Sequence, residues 1–182
     1  MSEIRIDLNK RKIFLALIGS IIFIFLGIQF ILNPEHFVSH SYRNPGFIKI
    51  AGFASIIFSG ICLIFLLFKI FDKKPGLIIN DNGITDNSHY GSVGLIDWSK
   101  IKGIRTRQVM STKFLLIDVS NPQAFIENSS RFKASLMKAN LKMYGTPLSI
   151  TSNSLNYNFD DLEKLILKEW DKYKKEDSTK PI

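Results

Sequence analysis

Two long apolar runs dominate the first part of the chain. Residues 13–32 read IFLALIGSIIFIFLGIQFIL, 20 residues with no charge and one amide, Gln29. Residues 50–68 read IAGFASIIFSGICLIFLLF, 19 residues with no charge. A surface helix of a soluble protein keeps a polar stripe over such a length, and neither run has one. At about 1.5 Å per residue each run reaches roughly 30 Å, the thickness of a bilayer's hydrocarbon core. The pattern predicts a transmembrane hairpin over residues 13–71, its two spans joined by a short external loop, residues 33–46. A cleaved leader does not fit the first run. Lys10, Arg11 and Lys12 precede it, but it exceeds the roughly 7–15 apolar residues of a signal peptide, and Asn33 and Pro34 follow it with no small-x-small site. Gly52, Ser55, Ser59 and Gly60, with Gly19 and Gly27 to face them, are either a helix-packing surface or small residues that a membrane helix simply tolerates.

Beyond Lys73, Lys74, Pro75 and Gly76 the hydrophobic period shortens. Residues 77–79 are a brief apolar run, and Asn80, Asp81, Asn82 and Gly83 are turn chemistry, with Asn-Gly a strong hairpin signal. Ile84 starts the return strand. Further strands are expected over residues 93–98, 101–106, 114–119 and 148–151, with a last short one over 155–158. That makes about seven. Near-helical spacing from Pro122 to about Met143, broken around Glu127 to Ser130, predicts a short helix, a bend and a second helix. A C-terminal helix follows, with Asp160 as its cap, Glu163 three residues on, and Leu162, Leu165, Ile166, Trp170 and Tyr173 on one face. The domain is expected over residues 72–174 and a polar, frayed tail over 175–182.

The amino end, residues 1–12, carries its own signal. Ile4, Ile6 and Leu8 alternate with Glu3, Arg5 and Asp7, the period of a half-buried strand. This segment is expected to add to a sheet edge of the later domain; the alternative is a frayed interfacial tail.

Composition narrows the classes. The chain has 182 residues, 46% of them hydrophobic and 12% aromatic, enough for one domain with an appendage and too aromatic for a disordered chain. One cysteine excludes a disulfide scaffold. The net charge of +8 divides into +5 over residues 1–74 and +3 over 75–182. The larger share flanks the apolar runs, which favours lipid headgroups over nucleic acid. Arg5, Lys10, Arg11 and Lys12 before the first run, and Lys69, Lys73 and Lys74 after the second, outnumber Arg43 and Lys49 in and beside the loop. By the positive-inside rule both termini are cytoplasmic.

LIINDNGITD followed by VGLIDWSKIKGI resembles bacterial pleckstrin-homology-like domains, with Gly83-Ile84, Trp98, Ile101 and Ile104 in the corresponding places. The whole chain resembles a family of small bacterial inner-membrane proteins that join a two-helix N-terminal hairpin to one such domain. KFLLIDVSNPQAFI and LMKANLKMYGTPLSITSNSL carry the most specific part of that resemblance. It implies a membrane α+β protein: a transmembrane hairpin, then a small β-barrel or sandwich with a C-terminal helix and a helical insertion. It implies no catalytic residues and no cofactor.

The chemistry of single residues points the same way. Glu35, His36 and His40 lack the converging ligands a metal site needs, and His89 stands alone in a turn. Cys62, in mid-span, has no basic partner to make it a thiolate. Gly91-Ser92-Val93-Gly94 leads into a strand, not into the helix a phosphate loop requires. Asp160, Asp161 and Glu163 suit a helix N-terminus. The expectation is a non-enzyme that binds a protein partner at the inner membrane, either a membrane protein or a toxin that it neutralises as an immunity protein. A third reading is an anionic-lipid module. Its candidate patch is Lys100 and Lys102, paired by period two, Arg105 and Arg107, paired likewise, and Lys133, Lys138 and Lys142 on the inserted helix. Self-association is left open, and nucleic acid is not expected, since no base-stacking aromatic pattern is present.

Overall fold

The structure, a computed structural model, describes residues 3–38, 44–89 and 91–179. The expected external loop lies partly outside the described residues, with His40 and Arg43, as does the end of the tail. The chain divides into two compact units: Lys10–Asp72, and Met1–Asn9 together with Lys73–Ile182.

The first unit is a pair of helices, α1 (Lys10–Leu32) and α2 (Pro45–Phe71). Both are long and apolar enough to cross a membrane. Their outer surfaces carry exposed Phe23, Phe25, Ile57 and Phe58, as runs without a polar stripe must. Asn44 caps α2, its side chain accepting from the Gly46 amide at 2.9 Å, and Pro45 takes the first helical position, where it has no donor to waste. The two helices touch backbone to backbone at Gly27 and Gly52. A Cβ on Gly52 would meet the Gly27 carbonyl oxygen at 2.7 Å, and one on Gly27 would meet the Gly52 oxygen at 2.9 Å. Ser55 Oγ crosses to donate to the Phe23 carbonyl at 3.0 Å. Gly19 and Gly60 have no neighbour in reach and are not part of this contact. At the base, Lys10 Nζ donates to the carbonyls of Lys69 and Ile70, a cation on the negative end of the α2 dipole.

The second unit holds two antiparallel sheets. One has the order β1 (Ile4–Ile6), β2 (Leu77–Asn80), β3 (Gly83–Asp86), β4 (Gly94–Asp97). The other has β5 (Ile101–Val109), β6 (Thr112–Val119) and β7 (Leu148–Ile150). The expected amino-terminal strand is present. Ile4 pairs with Ile79 and Ile6 with Leu77, while Leu8 bridges Leu155. The apolar helices are therefore inserted in the chain between two neighbouring strands of one sheet.

Of the barrel or sandwich expected, the closed barrel is not formed; no ladder joins β4 to β5. A 3-10 turn, Trp98–Lys100, carries the chain from one sheet to the other, held by the Asp97 carboxylate accepting from the Ser99 amide at 2.9 Å. The expected strand over 155–158 is also absent, apart from the single Leu155 bridge. Leu155 N is used by a turn to the Ser152 carbonyl, and the Asn158 side chain is committed to capping the last helix. In the β2–β3 hairpin the two-residue turn is Asp81-Asn82, so Gly83 opens the strand rather than centring the turn. Only glycine fits there, because a Cβ would stand 2.1 Å from the Ile96 carbonyl oxygen.

The helical insertion between β6 and β7 breaks where expected, into α3 (Pro122–Glu127) and α4 (Arg131–Tyr144). The last helix, α5 (Phe159–Ser178), starts from Asn158 rather than Asp160, and it runs beyond the residue where a frayed tail was expected. Leu77, Ile79, Ile84 and Ile96 from one sheet, Leu115, Ile117 and Ile150 from the other, and Leu162 and Ile166 from α5 are all buried. Trp98 joins sheet to helix. Its Nε1 donates to the Asn80 carbonyl at 2.8 Å, and its ring stacks on Tyr173 at 6.4 Å. Burial of the Tyr173 phenol, with Asp177 and Asp97 nearby, raises its pKa.

Candidate functional site

Strand β4 is an edge: it pairs with β3 on one side, and among the described residues no strand pairs with the other. Its residues alternate as a half-buried strand should, Ile96 inward and Leu95 50% exposed. A groove of about 360 Å³ runs beside it, lined by Val93, Leu95, Lys100 and, from α3, Ala124 and Phe125, with Asn121 and Asn128 at its rim. Lys100 Nζ stands 5.9 Å from the centre of the Phe125 ring, so the one charge in the groove rests against an aromatic face. Asp97, one turn away, is held below the ordinary carboxylate range by the Ser99 hydroxyl and amide, and by the Lys100 charge.

Of the seven basic residues singled out in the sequence, two are engaged inside the fold, and the strand pairing expected of Lys100 and Lys102 is not made. Lys100 lies in the 3-10 turn, not on a strand, and a bulge at Ile101/Gly103 shifts the register of β5, so period two does not pair Lys100 with Lys102. Arg105 and Arg107 do share a face, opposite Leu116 and Phe114. Arg105 is spent on the fold: it forms a fork with Asp118, Nε to Oδ2 at 2.8 Å and Nη2 to Oδ1 at 3.2 Å, and donates to the Tyr144 carbonyl. The Asp118 hydrogen bond raises its already high pKa. Lys133 donates to the Ser92 carbonyl at 2.6 Å, tying α4 to the β3–β4 loop. Lys102, Arg107, Lys138 and Lys142 are exposed to solvent.

A second, smaller pocket of about 140 Å³ lies on the other side of Val93, between the β3–β4 loop, α4 and β7. Asp86 lines it, almost fully buried, its Oδ1 accepting from the Ser88 amide at 2.9 Å and its Oδ2 4.0 Å from His89 Nε2. His89 is thus not isolated, as the sequence reading had it. Gly94 opens β4, so the Gly91 to Gly94 loop leads into a strand.

Sequence reasoning passed over Val93, Leu95 and Phe125. The one signal that leads to them is sheet order: an apolar outward residue on an inner strand is ordinary, while on an edge strand it lines a free surface. Comparison with protein-family models, with curated proteins and with solved structures finds no match.

Proposed function

We propose that this chain is a non-catalytic, membrane-anchored binding protein whose β4 groove takes an extended segment of a protein partner. Its two apolar helices anchor it in the bacterial inner membrane, with both termini and the folded unit on the cytoplasmic side. Seven Lys and Arg on the two inner flanks against two at the loop support that orientation. The folded unit is read as a pleckstrin-homology-like sandwich. A four-stranded and a three-stranded antiparallel sheet, with a C-terminal helix fastened at Trp98, support that reading.

The single observation that carries the binding reading is an unpaired edge strand with a groove alongside it. A segment added to β4 gains main-chain hydrogen bonds, and its side chains gain specificity from the groove. Leu95 and Phe125 suit an apolar side chain, and Lys100 suits a carboxylate. Anchoring raises the effective concentration for partners in the same membrane. A protein occupant is favoured over anionic lipid because Arg105 and Lys133 are already taken by internal acceptors, which thins the basic patch.

The test is co-purification of the tagged protein from its own locus after mild crosslinking, alongside Leu95→Asp and Lys100→Glu. One near-stoichiometric polypeptide, lost in both variants, is expected. A toxin in that position makes this an immunity protein. Retention of anionic phospholipid alone, lost in Lys100→Glu, overturns the protein-partner reading.

A further inference from the structure

Asp86 ends β3 inside the smaller pocket, and its carboxylate lies there without a cation. The side chain is 3% exposed. One oxygen accepts from the Ser88 amide at 2.9 Å. The other stands 4.0 Å from His89 Nε2, beyond a hydrogen bond. Asp86 has no lysine or arginine partner among the described residues. Lys133 reaches the same loop from α4, but its Nζ is held on the Ser92 carbonyl at 2.6 Å. A buried carboxylate is costly unless a cation or further donors meet it. Among the described residues that line this pocket, only Asp86 and His89 titrate.

The rest of the lining says which cation fits. About 140 Å³ lies between the β3–β4 loop, α4 and β7, with Ile96, Leu136, Met137 and Leu148 as apolar walls. Asn140 from α4 and Ser149 from β7 add polar atoms. The Asn140 amide nitrogen makes only long contacts, 3.5 Å to the Pro147 carbonyl and 3.4 Å to Ser149 Oγ. Its side-chain oxygen accepts from no described residue. A carboxylate, a carboxamide oxygen and a hydroxyl thus offer three acceptors beside an aliphatic wall. An alkylammonium group has three donors on an aliphatic stem. A metal ion is served worse. It needs three or four converging ligands, and no group of three or more His, Cys, Asp or Glu is placed to hold one among the described residues. Gly91 leaves the entry clear: a Cβ there would stand 3.1 Å from Leu136 Cδ1 and 3.2 Å from His89 Nδ1.

We propose that this pocket binds a primary alkylammonium group, of a free amine or of a lysine side chain. Asp86 is its anionic contact, and Asn140 and Ser149 are its neutral acceptors. The site lies wholly within the folded unit and needs neither the membrane spans nor the β4 groove.

The test titrates the full chain in detergent with n-butylammonium chloride at constant ionic strength, followed by backbone amide shifts in NMR. n-Butanol and sodium butyrate, matched in length, are the controls. Saturable shifts at Gly91, Ser92 and Leu148 are expected with butylammonium and none with butyrate. Asp86→Asn keeps an acceptor for the Ser88 amide and is expected to weaken binding about tenfold or more. Nα-acetyllysine methylamide separates the two sources: tighter binding than butylammonium marks a lysine side chain, and weaker binding marks a free amine. Equal saturation by butanol overturns the proposal, since the pocket then reads only the stem. Unchanged affinity in Asp86→Asn overturns it too, as does the lack of any saturable shift with butylammonium. Should Asp86→Asn fail to fold, the wild-type comparison of the three probes decides alone.

Discussion

Ile4 lies opposite Ile79 in an antiparallel ladder, and both apolar helices lie between them in the chain. The first strand of the folded unit is thus made before the helices and the second after them. Sheet order makes Ile4–Ile6 a strand of the folded unit, and Ile6 and Leu8 are buried in its core.

Ile6 and Leu8 are buried at 4% and 5% exposure, so Ile6→Ala is expected to cost about 2–5 kcal/mol, the range for truncating a buried Ile. Urea unfolding of the detergent-solubilised chain, followed by the fluorescence of Trp98 and Trp170, reads it. An unchanged midpoint means the strand is not part of the cooperative unit.

Trp98 ties the sheet to α5. Trp98→Phe keeps most of the ring and removes the Nε1 donor, leaving the Asn80 carbonyl without it. A loss of about 1–2 kcal/mol is expected, together with faster amide exchange in the second half of α5. Wild-type exchange there contradicts the coupling.

Within the helical pair the contact is specific. Gly27→Leu drives a side chain into the Gly52 carbonyl and is expected to cost about 1–3 kcal/mol of helix pairing. Gly19→Leu faces open space and is expected to be neutral. Disulfide formation between cysteines placed on the two helices separates the outcomes; equal effects at both positions remove the close approach from the account.

Asp97 gives a pH prediction with a definite sign. Its folded pKa is lowered from 3.8, chiefly by the Ser99 hydroxyl. A lowered carboxylate pKa adds stability above the unfolded value, which is lost as pH falls through the folded one. The stability difference between wild type and Asp97→Asn is therefore expected to be level above about pH 5 and to shrink below about pH 4. A difference that grows on acidification contradicts the assignment.

Met110 predicts opposite signs for two substitutions. Met110→Gly relieves a left-handed conformation that costs roughly 1–2 kcal/mol and adds glycine's roughly 0.5–1 kcal/mol of chain entropy, so stability holds or rises slightly. Met110→Ile puts a β-branched residue there and lowers the melting temperature. A drop for the glycine variant means the turn is not strained.

The two helices were legible in the sequence because each is an unbroken apolar run long enough, as a helix, to cross a membrane. The amino-terminal strand was legible from the alternation of Ile4, Ile6 and Leu8, but its partner was not, since period two is local and Ile79 is far away in the chain. The barrel expectation failed at Trp98–Lys100, where a turn held by one carboxylate decides that β4 and β5 part company. The pairing of Lys100 with Lys102 failed for a related reason. Spacing assigned Lys100 and Lys102 to one face, but a 3-10 turn and a bulge intervene. Spacing also cannot reveal that Asp118 neutralises Arg105. The groove was hidden because Leu95 and Phe125 meet only once sheet order is known.

The most direct test of the binding reading places a photo-crosslinker, p-benzoylphenylalanine, at Leu95 of the full chain in its own membrane, with Lys172 as the control position. The expected result is one discrete polypeptide adduct from position 95, weakened by Lys100→Glu, and none from 172. No adduct from 95 above the level at 172 contradicts the reading that the β4 groove holds a protein partner.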